Sequence, residues 1–192
     1  AMSRRQRQMC IRDSSNLVGS EILSQTGTGT VSNKNVGSGK AVTVSNLRLL
    51  DGSGAASNYN LTSSTLTVTA RPLSLSGSRV YDSTTSVAAS DLSTMTNLVG
   101  SETLSVTGSV SVSYTNLGTG KTVTLGTLAL ANGTGSASNY SISSANFDIT
   151  QRPLTLVGSK IYDGNTTIQG SQITTFTNIV GSETLSVSGS GT

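Results

Sequence analysis

The chain has 192 residues, of which 64 are serine or threonine, 21 are glycine and none is histidine. With a single cysteine and no histidine, it cannot build a zinc site of the Cys/His kind or a histidine-based catalytic set. Its net charge of +3 is carried by residues 1–13, since eight basic and eight acidic side chains follow them. We therefore expect no enzyme, no cofactor, no metal ligands and no nucleic-acid partner. No apolar run approaches the roughly 18 residues of a membrane-spanning helix, so we also expect no membrane insertion.

Residues 1–13, AMSRRQRQMCIRD, differ in composition from everything that follows them. They hold four of the eight arginines, two of the three methionines and the only cysteine, Cys10. They lack the apolar stretch of a signal peptide. A basic arm for nucleic acid is one interpretation of the arginines. We favour a non-native or artefactual leader, so Cys10 does not indicate the redox compartment.

The rest of the sequence repeats itself at a fixed interval. The hexapeptide NLVGSE begins at Asn16 and Asn97, and NIVGSE begins at Asn178, so the same interval separates all three copies. Residues 16–96 and 97–177 align without a gap and are identical at 40 of 81 positions. This period is longer than that of ankyrin or tetratricopeptide units, and it suits a small all-β domain repeated in tandem.

Each repeat shows the alternation of a half-buried strand. Val42 and Val44 alternate with polar residues, and Leu47 and Leu49 resume the alternation after a one-residue slip. The second copy slips in the same place, at Gly126-Thr127, which predicts a β-bulge within one strand. Another alternating segment covers residues 65–70, with threonine at its odd-numbered positions.

Turn residues separate these segments. Asp51-Gly52 and Asn132-Gly133 hold the same repeat position and predict turns at positive φ. No segment of about 11 or more residues has a 3.6-residue period. The predicted fold class is all-β, with tandem small antiparallel β-sandwich (Ig-like) modules, an 81-residue period and almost no helix.

The two prolines, Pro72 and Pro153, are separated by the same repeat interval. Each follows a predicted strand, and proline neither donates to a ladder nor allows a helical residue before it. We therefore place a stiff repeat boundary at each proline. The predicted domains are the leader at 1–13, a truncated repeat at 14–72, a complete repeat at 73–153 and a truncated repeat at 154–192.

Three short motifs carry a family resemblance. Residues 160–166 read KIYDGNT, whereas residues 79–83 read RVYDS and lack the glycine. Residues 34–40 read KNVGSGK, and residues 115–121 read TNLGTGK. An Asn-Tyr pair, at Asn139-Tyr140 in the second copy, comes near the end of the repeat. In this order and spacing, residues 14–192 resemble the YDG repeat of bacterial surface and secreted proteins of the filamentous-haemagglutinin type.

The resemblance implies an extracellular protein, either secreted or held at a bacterial cell surface, and it implies no known chemistry. Stable modules, a neutral body and stiff joints favour a structural stalk or spacer of an adhesin, whose partners are neighbouring repeats of the same chain. The alternative is a module that binds a host glycan or surface protein. Loops usually carry such binding, but these loops are rich in glycine, serine and threonine.

Two candidate sites lie in the YDG motif. Tyr81 with Asp82, and Tyr162 with Asp163, could form a ligand-contact pair. We favour a buried tyrosine followed by an Asx-turn residue, since a repeated signature position usually serves the fold. Residues 163–165 could coordinate calcium through carboxylate and carbonyl oxygens, but the acidic residues of each repeat are too widely spread for a calcium loop.

Two further sets of residues are candidates for a specific function. Lys40 and Lys121, with Glu21 and Glu102 and the repeated asparagines, are the residue types of a lysine–asparagine amide cross-link. We favour solvated lysines at a strand end. The threonines at 65, 67 and 69 resemble a flat ice-binding face, but Asn146 and Asp148 replace the first two in the second copy, so strand propensity accounts for them better.

Overall fold

A computed structural model describes residues 16–192 of the chain. The predicted leader at 1–13 lies outside the described residues. The chain separates into two compact units, the first ending at Ala70 and the second spanning Arg71–Thr192. These units are defined by contacts, so the repeat boundaries inferred from the sequence remain predictions.

The described residues of the first unit, 16–70, form five short strands in two small antiparallel sheets. One sheet pairs β1 with β4, and the other has the order β2-β3-β5. The strands are β1 (Ser24–Thr26), β2 (Thr30–Val31), β3 (Gly37–Thr43), β4 (Arg48–Leu50) and β5 (Thr65–Val68).

The second unit contains twelve strands. They are β6 (Arg71–Val80), β7 (Ser86–Ala88), β8 (Thr94–Thr96), β9 (Leu104–Thr107), β10 (Ser109–Val112), β11 (Gly118–Thr124), β12 (Ala129–Asn132), β13 (Tyr140–Thr150), β14 (Thr155–Gly158), β15 (Ile168–Gln169), β16 (Ile173–Thr177) and β17 (Ser190–Gly191). Six of them form a sheet of order β7-β10-β11-β13-β6-β8. The remaining strands form the pairs β9–β12, β14–β16 and β15–β17.

The fold is all-β, as the sequence predicted. Each helical segment in the described residues is a three-residue 3-10 turn. The four turns are Ala56–Asn58, Ala89–Asp91, Ala137–Asn139 and Gly170–Gln172. None of the described helices is long and apolar enough to cross a membrane.

The central strand pair differs from the antiparallel prediction. Strands β6 and β13 run parallel, in a register that begins with Arg71 opposite Tyr140 and ends with Val80 opposite Thr150. Every other strand pair in the described residues is antiparallel. Alternation of apolar and polar residues reports which face of a strand is buried, and it carries no information about strand direction.

The core lies on one face of the six-stranded sheet. Leu73 and Leu75 of β6 are buried at alternate positions, and so are Phe147 and Ile149 further along the neighbouring strand β13. Val106 of β9 packs against the same cluster, so the β9–β12 pair helps to cover it. The buried residues of this cluster are Leu75, Val87, Leu92, Val110, Val112, Val123, Ala145, Phe147 and Ile149.

The predicted bulge is wrong in position. The one-residue slip at Gly126-Thr127 is a turn between β11 and β12, closed by the Leu128 amide donating to the Leu125 carbonyl at 2.8 Å. These strands belong to different sheets, so the two halves of the alternation face separate partners. The irregularity lies earlier, between Gly118 and Lys121, where β11 shifts its register against β13.

The Asp-Gly and Asn-Gly dipeptides also act differently from the prediction. Neither Gly52 nor Gly133 has a positive φ. A Cβ on Gly133 would lie 2.3 Å from the Thr103 carbonyl oxygen, so glycine is needed there for close backbone approach. The Asn132 side chain accepts a hydrogen bond from the Ala137 amide at 2.8 Å and so holds the start of the following 3-10 turn.

Burial differs sharply between the copies. Leu73 and Leu75 are 0% and 1% exposed, whereas Leu154 and Leu156, at the same repeat positions, are 38% and 46% exposed. Residues 154–192 contain counterparts of β6, β7 and β8, but no counterpart of β11 or β13 among the described residues. The counterparts of the core residues therefore lie at the surface.

We predict that Phe147→Ala costs about 3–5 kcal/mol in the free energy of unfolding of the second unit, because the ring is fully buried. Leu66→Ala is the matched control, since Leu66 holds the same repeat position in the first unit and is only half-buried. Its cost should be about 1–2 kcal/mol. Hydrogen exchange resolved by unit measures both losses, and equal losses would contradict this difference in burial.

Candidate functional site: the joint between repeats

An arginine and an asparagine form a clamp at the start of the second unit. The Arg71 guanidinium donates to the Asn97 backbone oxygen and to its Oδ1, both at 2.6 Å. The Asn97 side-chain amide donates in turn to the Pro72 carbonyl at 2.7 Å. Asn97 has a φ of 76°, a left-handed conformation that asparagine tolerates better than most residues. The first residue of NLVGSE is therefore fixed to the Arg-Pro dipeptide.

The same clamp recurs one repeat later. Arg152 donates to the Asn178 backbone oxygen and Oδ1, both at 2.7 Å. The Asn178 side-chain amide donates to the Pro153 carbonyl at 2.7 Å. Arg152 makes one further bond, to the Tyr81 carbonyl at 3.2 Å. One guanidinium thus connects Tyr81 with Asn178, and we call this contact of Arg152, Tyr81 and Asn178 the joint.

Tyr81 makes three contacts at this joint. Its amide donates to the Thr150 carbonyl at 3.0 Å, its carbonyl accepts from Arg152, and its hydroxyl donates to Glu183 Oε1. Its ring also packs against the core. The expectation of a buried tyrosine is met only in part at Tyr81, which is half-buried, and is wrong at Tyr162, which is 91% exposed. The repetition of Tyr81, Arg152 and Glu183 at one spacing was visible, but spacing alone does not show which residues meet.

The glutamate of NLVGSE binds a tyrosine in every copy that the structure describes. Within the second unit the Tyr140 hydroxyl donates to Glu102 Oε2 at 2.5 Å and accepts from the Val99 amide at 3.2 Å. In the first unit Tyr59 makes the same bonds to Glu21 and to the Val18 amide. Glu183 receives Tyr81, which belongs to the preceding repeat.

A basic residue stabilises the YDG loop, residues 81–86, which carries the Tyr-Asp pair of the YDG motif. Arg79 donates to the carbonyls of Thr84 and Ser86 and pairs with Asp82 at 3.0 Å. Asp82 accepts from the Thr84 amide at 3.0 Å, which is the Asx turn expected from the sequence.

The same loop in the next copy uses a lysine. Lys160 donates to the Thr167 carbonyl at 2.9 Å and pairs with Asp163 at 2.8 Å. The Asn165 amide donates to Asp163 at 3.1 Å. The pKa of Asp163 lies below its ordinary value, chiefly because the Lys160 ammonium donates to the carboxylate.

The calcium candidate at residues 163–165 is therefore engaged by protein groups. The Asp163 carboxylate faces an ammonium and a backbone amide, both of which a cation would have to displace. In the part of the chain that the structure describes, no three Cys, His, Asp or Glu residues are grouped closely enough to hold a metal ion.

The lysines and glutamates considered for an amide cross-link contact other groups in the structure. Lys40 donates to Asn33 Oδ1 at 2.5 Å, while Lys121 is buried with its Nζ 3.4 Å from the centre of the Tyr114 ring. The expectation of a solvated lysine is therefore wrong for Lys121. Tyr114 holds the repeat position of Asn33, so a cation–π contact replaces the amide in the second copy. The glutamates bind tyrosine hydroxyls instead. The threonines at 65, 67 and 69 lie exposed along or beside β5, as expected of a half-buried strand.

The strand order and the recurring joint define an all-β protein built from tandem copies of one domain. A family model described as YDG domain matches the chain twice, over residues 11–67 and 64–147. The two matches cover more than half of the chain, which therefore belongs to the YDG domain family. Comparisons with curated proteins and with solved structures gave no match.

We predict that Ser83→Gly stabilises the second unit by about 0.5–1 kcal/mol. Ser83 has a φ of 62°, and the matching residue of the next copy is Gly164, with a φ of 77°. Glycine removes the Cβ clash of the left-handed conformation but adds chain entropy to the unfolded state. Urea unfolding measures the change. Ser83→Ala is the control and should give no gain, and a gain equal to that of glycine would show that φ is not the cause.

We predict that Glu183→Gln lowers the pKa of Tyr81. That pKa lies above the ordinary value of 10.0, chiefly because the hydroxyl donates to Glu183. Because the folded-state pKa is raised, the bond contributes stability fully below pH 10 and loses it as the pH rises through the raised value.

Ultraviolet absorbance of the phenolates follows this titration. In the variant, one tyrosine should ionise at lower pH than in the wild type. Glu102→Gln should act on Tyr140 in the same way and leave Tyr81 unchanged. An unchanged curve in Glu183→Gln would show that the bond across the joint does not form in solution.

Proposed function

We propose that the chain is a structural stalk, a spacer made of YDG repeats from a secreted or surface-anchored bacterial adhesin of the filamentous-haemagglutinin type. One observation supports this most directly. Because β6 and β13 are parallel and paired from Arg71 to Val80, with one register shift between Ile142 and Ser144, Arg71 and Thr150 lie at opposite ends of the pair. At about 3.3 Å per residue, a ten-residue strand separates these ends by roughly 30 Å.

A domain whose chain comes in at one end and leaves at the other adds its neighbours end to end. An antiparallel pair of first and last strands would bring both ends to the same side and fold the array back on itself. The parallel pair therefore supports an array that gains length with each repeat.

The joint supports stiffness of that array. Arg152 makes two bonds to Asn178 and a third to Tyr81, so the guanidinium connects three segments of the chain. Pro153 fixes its own φ, and its carbonyl is bonded as well. A linker with these contacts is far from a flexible coil.

The chemistry of the site supports a role without catalysis. The carboxylates of Asp82, Asp163, Glu102 and Glu183 each bind a basic group or a tyrosine that orders a loop or a joint. We propose neighbouring repeats as the partners. The proposed location outside the cell comes from the resemblance of the repeat to those of bacterial surface proteins.

We predict that tandem chains of two, four and six YDG repeats scatter X-rays as rods whose length grows in proportion to repeat number. Arg152→Ala, placed at every joint, should leave each repeat folded and broaden the distribution of lengths, since three bonds of the joint are lost. Pro153→Gly should broaden it further by freeing φ.

Two matched variants serve as controls. Arg152→Lys keeps the charge but loses the planar fork, so it should broaden the lengths nearly as much as alanine. Arg48→Ala removes an exposed arginine of β4 that lies away from the joint, and it should change nothing. A compact wild-type tandem, with repeats packed side by side, would contradict the stalk and favour a glycan- or protein-binding surface.

A further inference from the structure

A buried lysine of the complete repeat has no hydrogen-bond partner among the described residues. Lys121 is 4% exposed, and its Nζ is enclosed without an acceptor. The ring of Tyr114 covers one side of the ammonium, with its centre 3.4 Å from Nζ. An ammonium has three N–H donors, and one ring face does not replace the hydrogen bonds that they lose on burial. Native proteins leave few such groups unsatisfied, so we expect an ordered water or an ion beside it.

The first copy of the repeat gives the same lysine two acceptors. Lys40 holds the repeat position of Lys121, and it donates to the backbone oxygen and to the Oδ1 of Asn33. Tyr114 stands where the first copy has Asn33, so the side-chain acceptor is replaced by a ring. The complete repeat therefore keeps the cation and lacks the acceptor.

A second buried donor lies at the same end of the core. Arg79 is opposite Ile149 of β13, and Ile149 is opposite Gly118 of β11. A Cβ on Gly118 would lie 3.2 Å from Lys121 Nζ, so the ammonium reaches this level of the sheet. The Arg79 guanidinium carbon lies 5.9 Å from the centre of the Phe147 ring, and its Nε is buried without a hydrogen-bond partner among the described residues.

The charges at this end of the core do not balance. Arg79 pairs with Asp82 at 3.0 Å, which leaves the positive charge of Lys121. Asp148 alternates with the buried residues of β13, so it lies on the opposite face of the strand, where it accepts from a backbone amide at 2.7 Å. Burying a charge without a partner is costly, and one negative charge would offset this cost.

We propose that the complete repeat binds one halide-sized, monovalent anion between the Lys121 ammonium and the Arg79 Nε, on the side of the ammonium that the Tyr114 ring leaves open. The ion is small because both nitrogen atoms are enclosed. It is monovalent because one positive charge remains to be balanced. Its hydrogen bonds to two cations are of the strong, charge-assisted kind.

The site is formed inside the complete repeat. Its walls are Tyr114 and Gly118, and its donors are on β6 and β11. Tyr114 is 54% exposed, so the ring separates the ammonium from solvent and is the side chain that an entering ion passes. The inference does not depend on the stalk role.

Bromide identifies the site directly, because it resembles chloride and scatters X-rays anomalously. We expect crystals of the full chain grown in sodium bromide to show an anomalous peak within hydrogen-bond distance of Lys121 Nζ. A water at that position in bromide-grown crystals, without an anomalous peak, would overturn the proposal.

Thermal unfolding tests binding in solution. At constant ionic strength, replacing sodium gluconate by sodium chloride should raise the unfolding temperature of the second unit by about 3 °C or more, since the ion binds only the folded state. Lys121→Met keeps the length of the side chain without its charge, and it should abolish this rise. Lys40→Met is the matched control in the first unit and should retain it.

A second variant tests the role of the ring. Tyr114→Asn restores the acceptor of the first copy, so the Lys121 ammonium should turn to the new Oδ1 and the chloride effect should fall at least about tenfold in apparent affinity. Hydrogen exchange over residues 73–150 verifies that each variant remains folded. An equal chloride-dependent rise in Lys121→Met, or an unchanged one in Tyr114→Asn, would mean that chloride acts elsewhere and would overturn the proposal.

Discussion

The parallel pairing of β6 with β13 is the constraint on which the rest of the structure depends. It joins the first and last strands of one repeat, and it buries Leu73, Leu75, Phe147 and Ile149 at alternate positions of the two strands. The same pairing sends the incoming and outgoing chain to opposite ends. One ladder thus buries the core and also sets the opposite ends at which the chain enters and leaves the strand pair.

The motifs that identify the family have physical roles around this ladder. In the Gly-x-Gly-Lys motif, the Lys121 side chain lies across Gly118, and a Cβ on Gly118 would be 3.1 Å from the Lys121 Cε. Gly120 has a φ of 62° at the register shift between β11 and β13. In the YDG motif, the basic residue and the aspartate close a loop, and Tyr81 extends to the next copy. These residue types recur because a backbone conformation or a bond at each position requires them.

Part of this fold could be predicted from the sequence alone. Strict alternation over residues 65–70 predicted a strand, because a strand with one buried face alternates apolar and polar residues. The 81-residue period predicted tandem copies. No residue pattern indicated whether β6 runs parallel or antiparallel to β13. The slip at Gly126-Thr127 was ambiguous, because a bulge and a turn between sheets disrupt the period identically. The partners of Tyr81 and Asn97 depend on tertiary contacts between distant segments, which a single sequence does not contain.

Strand β6 also connects the core to the contacts at both of its ends. Strand β6 starts at Arg71, which clamps Asn97, and Tyr81 of the next joint directly follows its last residue. In the proposed stalk, a pull along the array acts on Arg71 at one end of the parallel pair and on Thr150 at the other. The ladder is then loaded in shear, so its bonds must break together instead of one at a time. A parallel first–last pair therefore gives a spacer both its length and its resistance to tension, which a hairpin of the same residues would not.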